Sequence, residues 1–154
     1  MFGWEFPPHI LGGLGTASYG LVKGMHECGG IDINFVIPKP FGDEDRSFAN
    51  IIGASQTPVA WRDVSRDYVE SRIGRLISPD LYFDLRDHIY ADFNYMRTND
   101  LGCIEFSGRY PDNLIEEINN YSITAGVIAR TLDFDVIHSH DWLTYPAGIH
   151  AKQV

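Results

Sequence analysis

Three glycines within four positions, Gly12, Gly13 and Gly15, interrupt the stretch GWEFPPHILGGLGTASYGLVKGM (residues 3–25). They constrain the fold more than any other feature, because they fall between a strand-like run and a helix-like one. Residues 1–5 read as a strand that Pro7–Pro8 ends, since proline lacks the amide donor and restricts its predecessor. From Gly13 onward, Leu14, Ser18, Leu21, Val22 and Met25 recur at helical spacing, and Gly29–Gly30 closes that helix. IDINFVIP then alternates and is β-branched, which predicts a strand ending at Pro38. Strand, glycine turn, helix, strand is a βαβ unit, and its crossover is right-handed.

Residues 40–110 carry weaker signals. PKPFGDEDRSF is a polar loop, SQTPVAWRDV holds a candidate short strand, and YVESRIGRLI is a candidate helix. DLYFDLRDHIYADFNYM has no clean period, and LGCIEFSG reads as a short strand or its approach. After Pro111, Asp112 caps a predicted helix whose apolar face is Leu114, Ile115, Ile118, Ala125, Ile128 and Leu132. FDVIHSHD predicts a short buried strand, Phe134–Ile137, ending in His138, His140 and Asp141. A last helix starts near Trp142 or Pro146. The pattern predicts an α/β fold with a Rossmann-like, open, mostly parallel sheet and helices on both faces.

Composition narrows the partners. The 154 residues carry 12 basic and 21 acidic side chains, a net charge of −9, which argues against nucleic acid because phosphate neutralisation needs clustered Lys and Arg. A run of about 18 apolar residues, enough for a membrane span, is absent. MFGWEFPP lacks the basic and apolar regions of a signal peptide. The two cysteines, Cys28 and Cys103, stand outside any metal-ligand spacing and read as reduced thiols of a cytoplasmic protein.

In open α/β sheets, ligands bind outside the carboxyl ends of the strands. The glycine turn follows one predicted strand and HSHDW another, so both are expected at one crevice. Without Cβ atoms the turn can pass through positive φ and let its amides approach a ligand, while the helix start supplies free N–H groups and a positive dipole end. Close strand–helix packing explains the same glycines equally. A nicotinamide fingerprint fits poorly: Gly13 to Ser18 gives G-x-G-x-x-S, and the second strand ends in Ile37-Pro38-Lys39 with no acid for a ribose hydroxyl.

His138 and His140, with Asp141 or His150, have the residue types of a metal site, but no further cluster of convincing spacing supports one, so no metal is expected. The alternative reading makes one histidine a buried core residue and turns the other, His140, into the crevice. Asp141 then caps the helix that follows and Trp142 packs. Glu5 either accepts hydrogen bonds from sugar hydroxyls or fixes the Pro7–Pro8 loop. Tyr82, Phe83, Tyr90, Phe93 and Tyr95 are either core or a sugar-stacking surface.

Taken together, FGWEFPPHILGGLGTASYGL and FDVIHSHDWLTYPAGIHAK resemble the N-terminal domain of retaining glycosyltransferases of GT-B architecture, the glycogen and starch synthase group above all. The resemblance covers roughly residues 1–38 and 112–152. It implies that Gly12, Gly13, Leu14 and Gly15 lie at the donor diphosphate and that His140 lies beside the transferred sugar as the catalytic residue. Glu5 falls in the variable approach to the loop, a sugar-binding candidate. Synthases proper often carry a lysine two residues before the first glycine of the pair, where this chain has Ile10, so donor base and sugar stay open.

The resemblance further implies that residues 1–154 form a single, incomplete, acceptor-side Rossmann-like domain, one half of a GT-B fold. A C-terminal Rossmann-like domain would supply most nucleotide contacts, and the fragment alone is expected to be inactive. The implied reaction moves a hexose, glucose by expectation, from ADP-glucose or UDP-glucose to a glucan or other glycan with retention, without a cofactor. A non-catalytic domain of the same fold that binds glycan or nucleotide sugar is the alternative.

Overall fold

The computed structural model describes residues 1–60 and 98–154. Its elements in chain order are helix α1 (Gly13–Cys28), strands β1 (Asn34–Ile37) and β2 (Asn50–Gly53), and a 3-10 turn (Ala54–Gln56). Helix α2 (Leu114–Ala129), a 3-10 turn (Trp142–Thr144) and helix α3 (Tyr145–Ala151) follow. Helix α1 stops where the sequence predicts: Gly29 takes φ 74, and its N–H donates to the His26 carbonyl at 3.0 Å.

Strands β1 and β2 pair in parallel, Asn34 opposite Asn50 and Ile37 opposite Gly53. On the far side of β1, Phe2 bridges both Val36 and Ser139 in parallel sense. Val36 N–H donates to the Met1 carbonyl at 2.8 Å and Gly3 N–H to Val36 at 3.0 Å. Across the other flank, Phe2 N–H donates to His138 at 2.8 Å and His140 N–H to Phe2 at 2.9 Å. The lateral order is therefore β2, β1, residues 1–3, residues 138–140, all running the same way.

Two predicted strands are thus reduced to single bridges. Residues 1–5 pair only around Phe2. Phe134–Ile137 is not a buried strand: Phe134 and Val136 are 43 % and 78 % exposed, and Ser139 does the pairing. Position explains this, because the segment lies at the outer end of the lateral order with Phe2 as its neighbour, so its other side is uncovered among the described residues. Of the short strand expected in SQTPVAWRDV, Ser55 and Gln56 lie in a 3-10 turn, Pro58 forms a single antiparallel bridge to Cys103, and residues 61–64 lie outside the described residues. YVESRIGRLI, DLYFDLRDHIYADFNYM and the aromatics Tyr82 to Tyr95 lie outside the described residues.

Alternation along the paired segments feeds two cores. Phe35, Ile37 and Ile51 share one with Phe6 and with Val22 of α1. Phe2, Trp4 and Val36 share the other with Ile118, Tyr121, Ala125 and Ile128 of α2 and Ala147 and Ala151 of α3. Helices therefore cover both faces of the paired segments, an α/β arrangement.

Tyr121 is the centre of the second core. Its ring meets Phe2, Trp4 and Phe106 edge-on at 6.2, 5.8 and 6.3 Å. Helix α2 departs from expectation at its start: Asn113, not Asp112, is the N-cap, with no side-chain cap, and Ile115 is exposed rather than on the apolar face.

Candidate functional site

The parallel pairing of Phe2 with Ser139 decides where the two motifs go. Each segment leaves the pairing in the same direction, so Glu5 and the glycine turn emerge at the same edge as His140 and Asp141. Tyr110 ties these ends together. Trp4 Nε1 donates to the Arg109 carbonyl at 3.1 Å and holds this loop in place. The Tyr110 phenol is pushed well up, by burial first, then by the Glu5 carboxylate beside it and the Asp141 charge.

The glycines of the turn divide by role. Gly12 is extended at φ −160, and Gly13 and Gly15 lie inside α1, so none takes the positive φ the sequence allows. A Cβ on Gly15 would stand 3.0 Å from both Glu5 Cβ and Ile10 Cγ1, so Gly15 serves close strand–helix packing. A Cβ on Gly12 or Gly13 would meet nothing within 4 Å among the described residues beyond its own neighbours and helix backbone, and both residues are exposed. Packing among the described residues asks for no glycine there. The start of α1 also has no side-chain cap and no acid in its first turn, which leaves a positive dipole end bare.

Glu5 is 4 % exposed and lies beneath that helix start. Its Oε2 accepts from the Leu11 amide at 3.3 Å, so Glu5 does fix the loop after Pro7–Pro8. Its Oε1 is the one buried side-chain polar atom among the described residues without a geometric hydrogen-bond partner, and the Tyr110 phenol is directed at the same carboxylate.

His138, Ser139 and His140 alternate in direction. Ser139 faces α3, where a Cβ on Gly148 would fall on its Oγ. His138 and His140 therefore share the opposite side, with His138 Nε2 3.4 Å from His140 Nδ1. The expectation that one of them is buried in the core is corrected. His138 is exposed and His140 partly so, because this outer segment has no layer packed over it among the described residues.

Asp141 follows at φ 77, ψ 161, the sole non-glycine residue at positive φ among those described. It caps as expected: its carboxylate accepts from the Trp142 amide, and its carbonyl accepts from Thr144 N–H and Oγ1–H at 3.0 Å each. Trp142 does not pack. It is 51 % exposed at the same edge while Leu143 takes the core position, since the sharp turn at Asp141 throws the first residue outward.

His150 is separated from the histidine pair. It is buried between α2 and α3, with Nδ1 3.4 Å from Ser122 Oγ and its ring against Gly126. His9, Asp43 and Glu44 bring ligand atoms within 4.8 Å of one another. However, His9 pairs Asp43 at 2.6 Å and Glu44 accepts from the amides of Phe41 and Gly42, so the group ties two loops together. Tyr110 is the residue that sequence reasoning missed. It lies in a stretch without period, and its role depends on Trp4, more than 100 positions away.

Among protein-family models, one described as the starch synthase catalytic domain matches residues 1–154. No curated protein and no solved structure matches the chain.

Proposed function

This chain belongs to the starch synthase catalytic domain family, and from that premise we propose that it is the acceptor-side half of a retaining GT-B glycosyltransferase. Family membership makes it a glycosyltransferase domain that takes a glucosyl unit from a nucleotide sugar. In our reading the donor is ADP-glucose or UDP-glucose and the acceptor a growing glucan. The full domain is then a Rossmann-like open sheet, of which the four parallel segments around Phe2 are the central part.

The observation that carries this reading is the Phe2–Ser139 pairing, which puts an uncapped helix start and His140 at one edge. The amides of Gly12, Gly13, Leu14 and Gly15 would receive the donor diphosphate, with room over Gly12 and Gly13 for its oxygens. His140 would sit beside the transferred sugar, and Glu5, buried beneath the helix start, would be the sugar-binding candidate. As the diphosphate departs it takes up negative charge, which the free amides and positive dipole end of α1 stabilise, with no protein nucleophile and no metal ion.

A second Rossmann-like domain would close over the edge, where Leu11 (63 % exposed), Tyr110 and Trp142 stand uncovered, and would supply the remaining nucleotide contacts. No helix among the described residues is long and apolar enough to cross a membrane. The free thiols of Cys28 and Cys103 suit a reducing cytoplasm.

The test is incorporation of labelled glucose from ADP-glucose or UDP-glucose into a glycogen primer. We expect transfer when the chain is joined to such a second domain, and no transfer by the 154 residues alone. Turnover by the 154 residues alone would overturn the division of labour. Binding without turnover in the joined form would favour the non-catalytic reading.

A further inference from the structure

The contact between His138 and His140 has a geometry that says what it is for. His138 Nε2 lies 3.4 Å from His140 Nδ1, the ring planes are 27° apart, and the ring centres are 5.6 Å apart. Two arrangements bring imidazole nitrogens this close: both lone pairs converge on a shared ion, or one N–H donates to the other ring's lone pair.

The distances separate these. In a ring with bonds of about 1.33 Å, each nitrogen sits about 1.1 Å from the ring centre. Nitrogens aimed at each other across 3.4 Å then put the centres about 5.7 Å apart. Nitrogens ligating one tetrahedral ion at about 2.0–2.1 Å would instead put the centres roughly 5.2 Å apart. The observed 5.6 Å matches the first, so the rings meet edge to edge along a common line, as in a long N–H···N hydrogen bond.

A neutral imidazole has one donor and one acceptor nitrogen, which leaves two solutions. In one, His138 Nε2–H donates to His140 Nδ1, and both rings carry their proton on Nε2, the commoner tautomer of neutral histidine. In the other, both rings must carry it on Nδ1. The first satisfies the contact with two ordinary tautomers. Neutrality is favoured as well. Burial, then the His140 charge, then the Met1 amino group hold the His138 pKa below its usual value. The backbone is equally fixed, because Phe2 clamps this segment on both sides of Ser139.

We propose that His138 is a positioning residue for His140: its Nε2–H holds His140 Nδ1 as an acceptor, which orients the ring and leaves His140 Nε2–H as the donor offered to an oxygen of the bound sugar. The last step rests on the function proposed above; the coupling of the two rings does not. The consequence is that His140 meets the sugar as a hydrogen-bond donor in a single tautomer, with its ring already oriented before the ligand arrives.

Long-range ¹H–¹⁵N NMR of the histidine-labelled chain reads the tautomers directly. His140 should be in the Nε2–H form, with Nδ1 shifted as a hydrogen-bond acceptor. His138→Ala should leave His140 a mixture of tautomers, and His138→Gln, whose amide can donate, should restore the single form. Because His138 is exposed, both variants should melt with the parent. A native His140 carrying its proton on Nδ1, or a tautomer unmoved by His138→Ala, would overturn the proposal.

In the two-domain enzyme, His138→Ala should lower kcat roughly tenfold with little change in KM, and Gln should recover most of it. A kcat unmoved by His138→Ala would remove the positioning role. If the NMR result holds but His140→Ala transfers glucose at full rate, the coupling stands and the reading of the site falls.

Discussion

The Tyr121 hydroxyl lies 2.8 Å from the Val36 carbonyl oxygen and 3.1 Å from that of Gly3, so one side chain from α2 ties β1 to the segment beside it. The group is fully buried, and its phenol is raised well above the usual range by that burial. Val36 O also accepts from Gly3 N–H, so Tyr121 adds a third contact at the junction on which the glycine turn depends.

Tyr121→Phe should therefore lower stability by about 1–2 kcal/mol, the typical effect of removing one partner from a buried hydrogen bond. For a chain of this size that is a fall in Tm of roughly 2–8 °C. The sign at high pH follows from the raised pKa. Above about pH 10 the unfolded state loses a proton that the folded state keeps, so stability declines as pH rises. Thermal melts of both proteins from pH 7 to 11 check this, and the alkaline decline should be shallower in the Phe variant.

Asp45 provides a pH-dependent contact at the other end. Its carboxylate accepts from Tyr19 O–H at 2.6 Å and from Ser47 N–H at 2.9 Å, joining the 41–49 loop to α1. Ser47 first, then Tyr19, hold its pKa down at about 2, from an ordinary 3.8. A depressed carboxylate contributes stability that is present above 3.8 and is lost as pH falls through about 2. The Asp45 carboxyl carbon should titrate with a midpoint near 2 by NMR. In Tyr19→Phe the midpoint should move up towards 3.8, and an unmoved midpoint would show that Tyr19 is not the partner.

How much of this was legible in the sequence depends on where each residue's partners lie. Helix α1 was readable to its last residue because Gly29 acts locally, through its own φ and the His26 carbonyl. Strand β1 was readable because Asn34–Ile37, covered on both faces, is an aromatic and β-branched run that Pro38 ends. The buried-strand reading of Phe134–Ile137 failed because a run of apolar residues does not reveal whether it ends up at an outer edge.

The burial expected of His138 failed for the same reason, since it depends on what covers that side of the segment. Tyr121 and Tyr110 were invisible as determinants, since their partners Gly3, Val36, Glu5 and Asp141 are brought to them by the fold. The glycines do not use the positive φ that the sequence allows. Absence of Cβ matters at Gly15 for packing, and at Gly12 and Gly13 for a space that packing leaves open.

That division makes the turn testable by alanine. Gly13→Ala places a Cβ in open space within the first turn of a helix, where Ala is preferred over Gly, and should stabilise the fold by about 0.5–1 kcal/mol. In the two-domain enzyme the same methyl should stand where the diphosphate approaches and raise KM for the nucleotide sugar roughly tenfold or more. Gly15→Ala should do the reverse in stability, lowering it by about 1–3 kcal/mol as Glu5 and Ile10 give way. Denaturant melts and steady-state kinetics on both variants decide the matter. A Gly13→Ala enzyme with unchanged KM would remove the diphosphate from this helix start.

The two histidines should separate catalysis from stability in a way the buried-residue expectation did not allow. His140 is partly exposed and pinned through its amide to Phe2, so His140→Ala should fold with an unchanged Tm. If its Nε2–H holds the sugar in the orientation from which the diphosphate leaves, kcat should fall roughly a hundredfold, the scale of a misplaced reacting group. KM for the nucleotide sugar should change much less, because the contacts at Gly12 to Gly15 remain. His138→Ala should also keep its Tm, since the ring is exposed rather than packed in the core, and its smaller loss of kcat should arise through His140. The double variant should then be no slower than His140→Ala alone, since the second deletion removes a group with nothing left to position. Losses that multiply in the double variant would mean that each ring acts on the sugar independently.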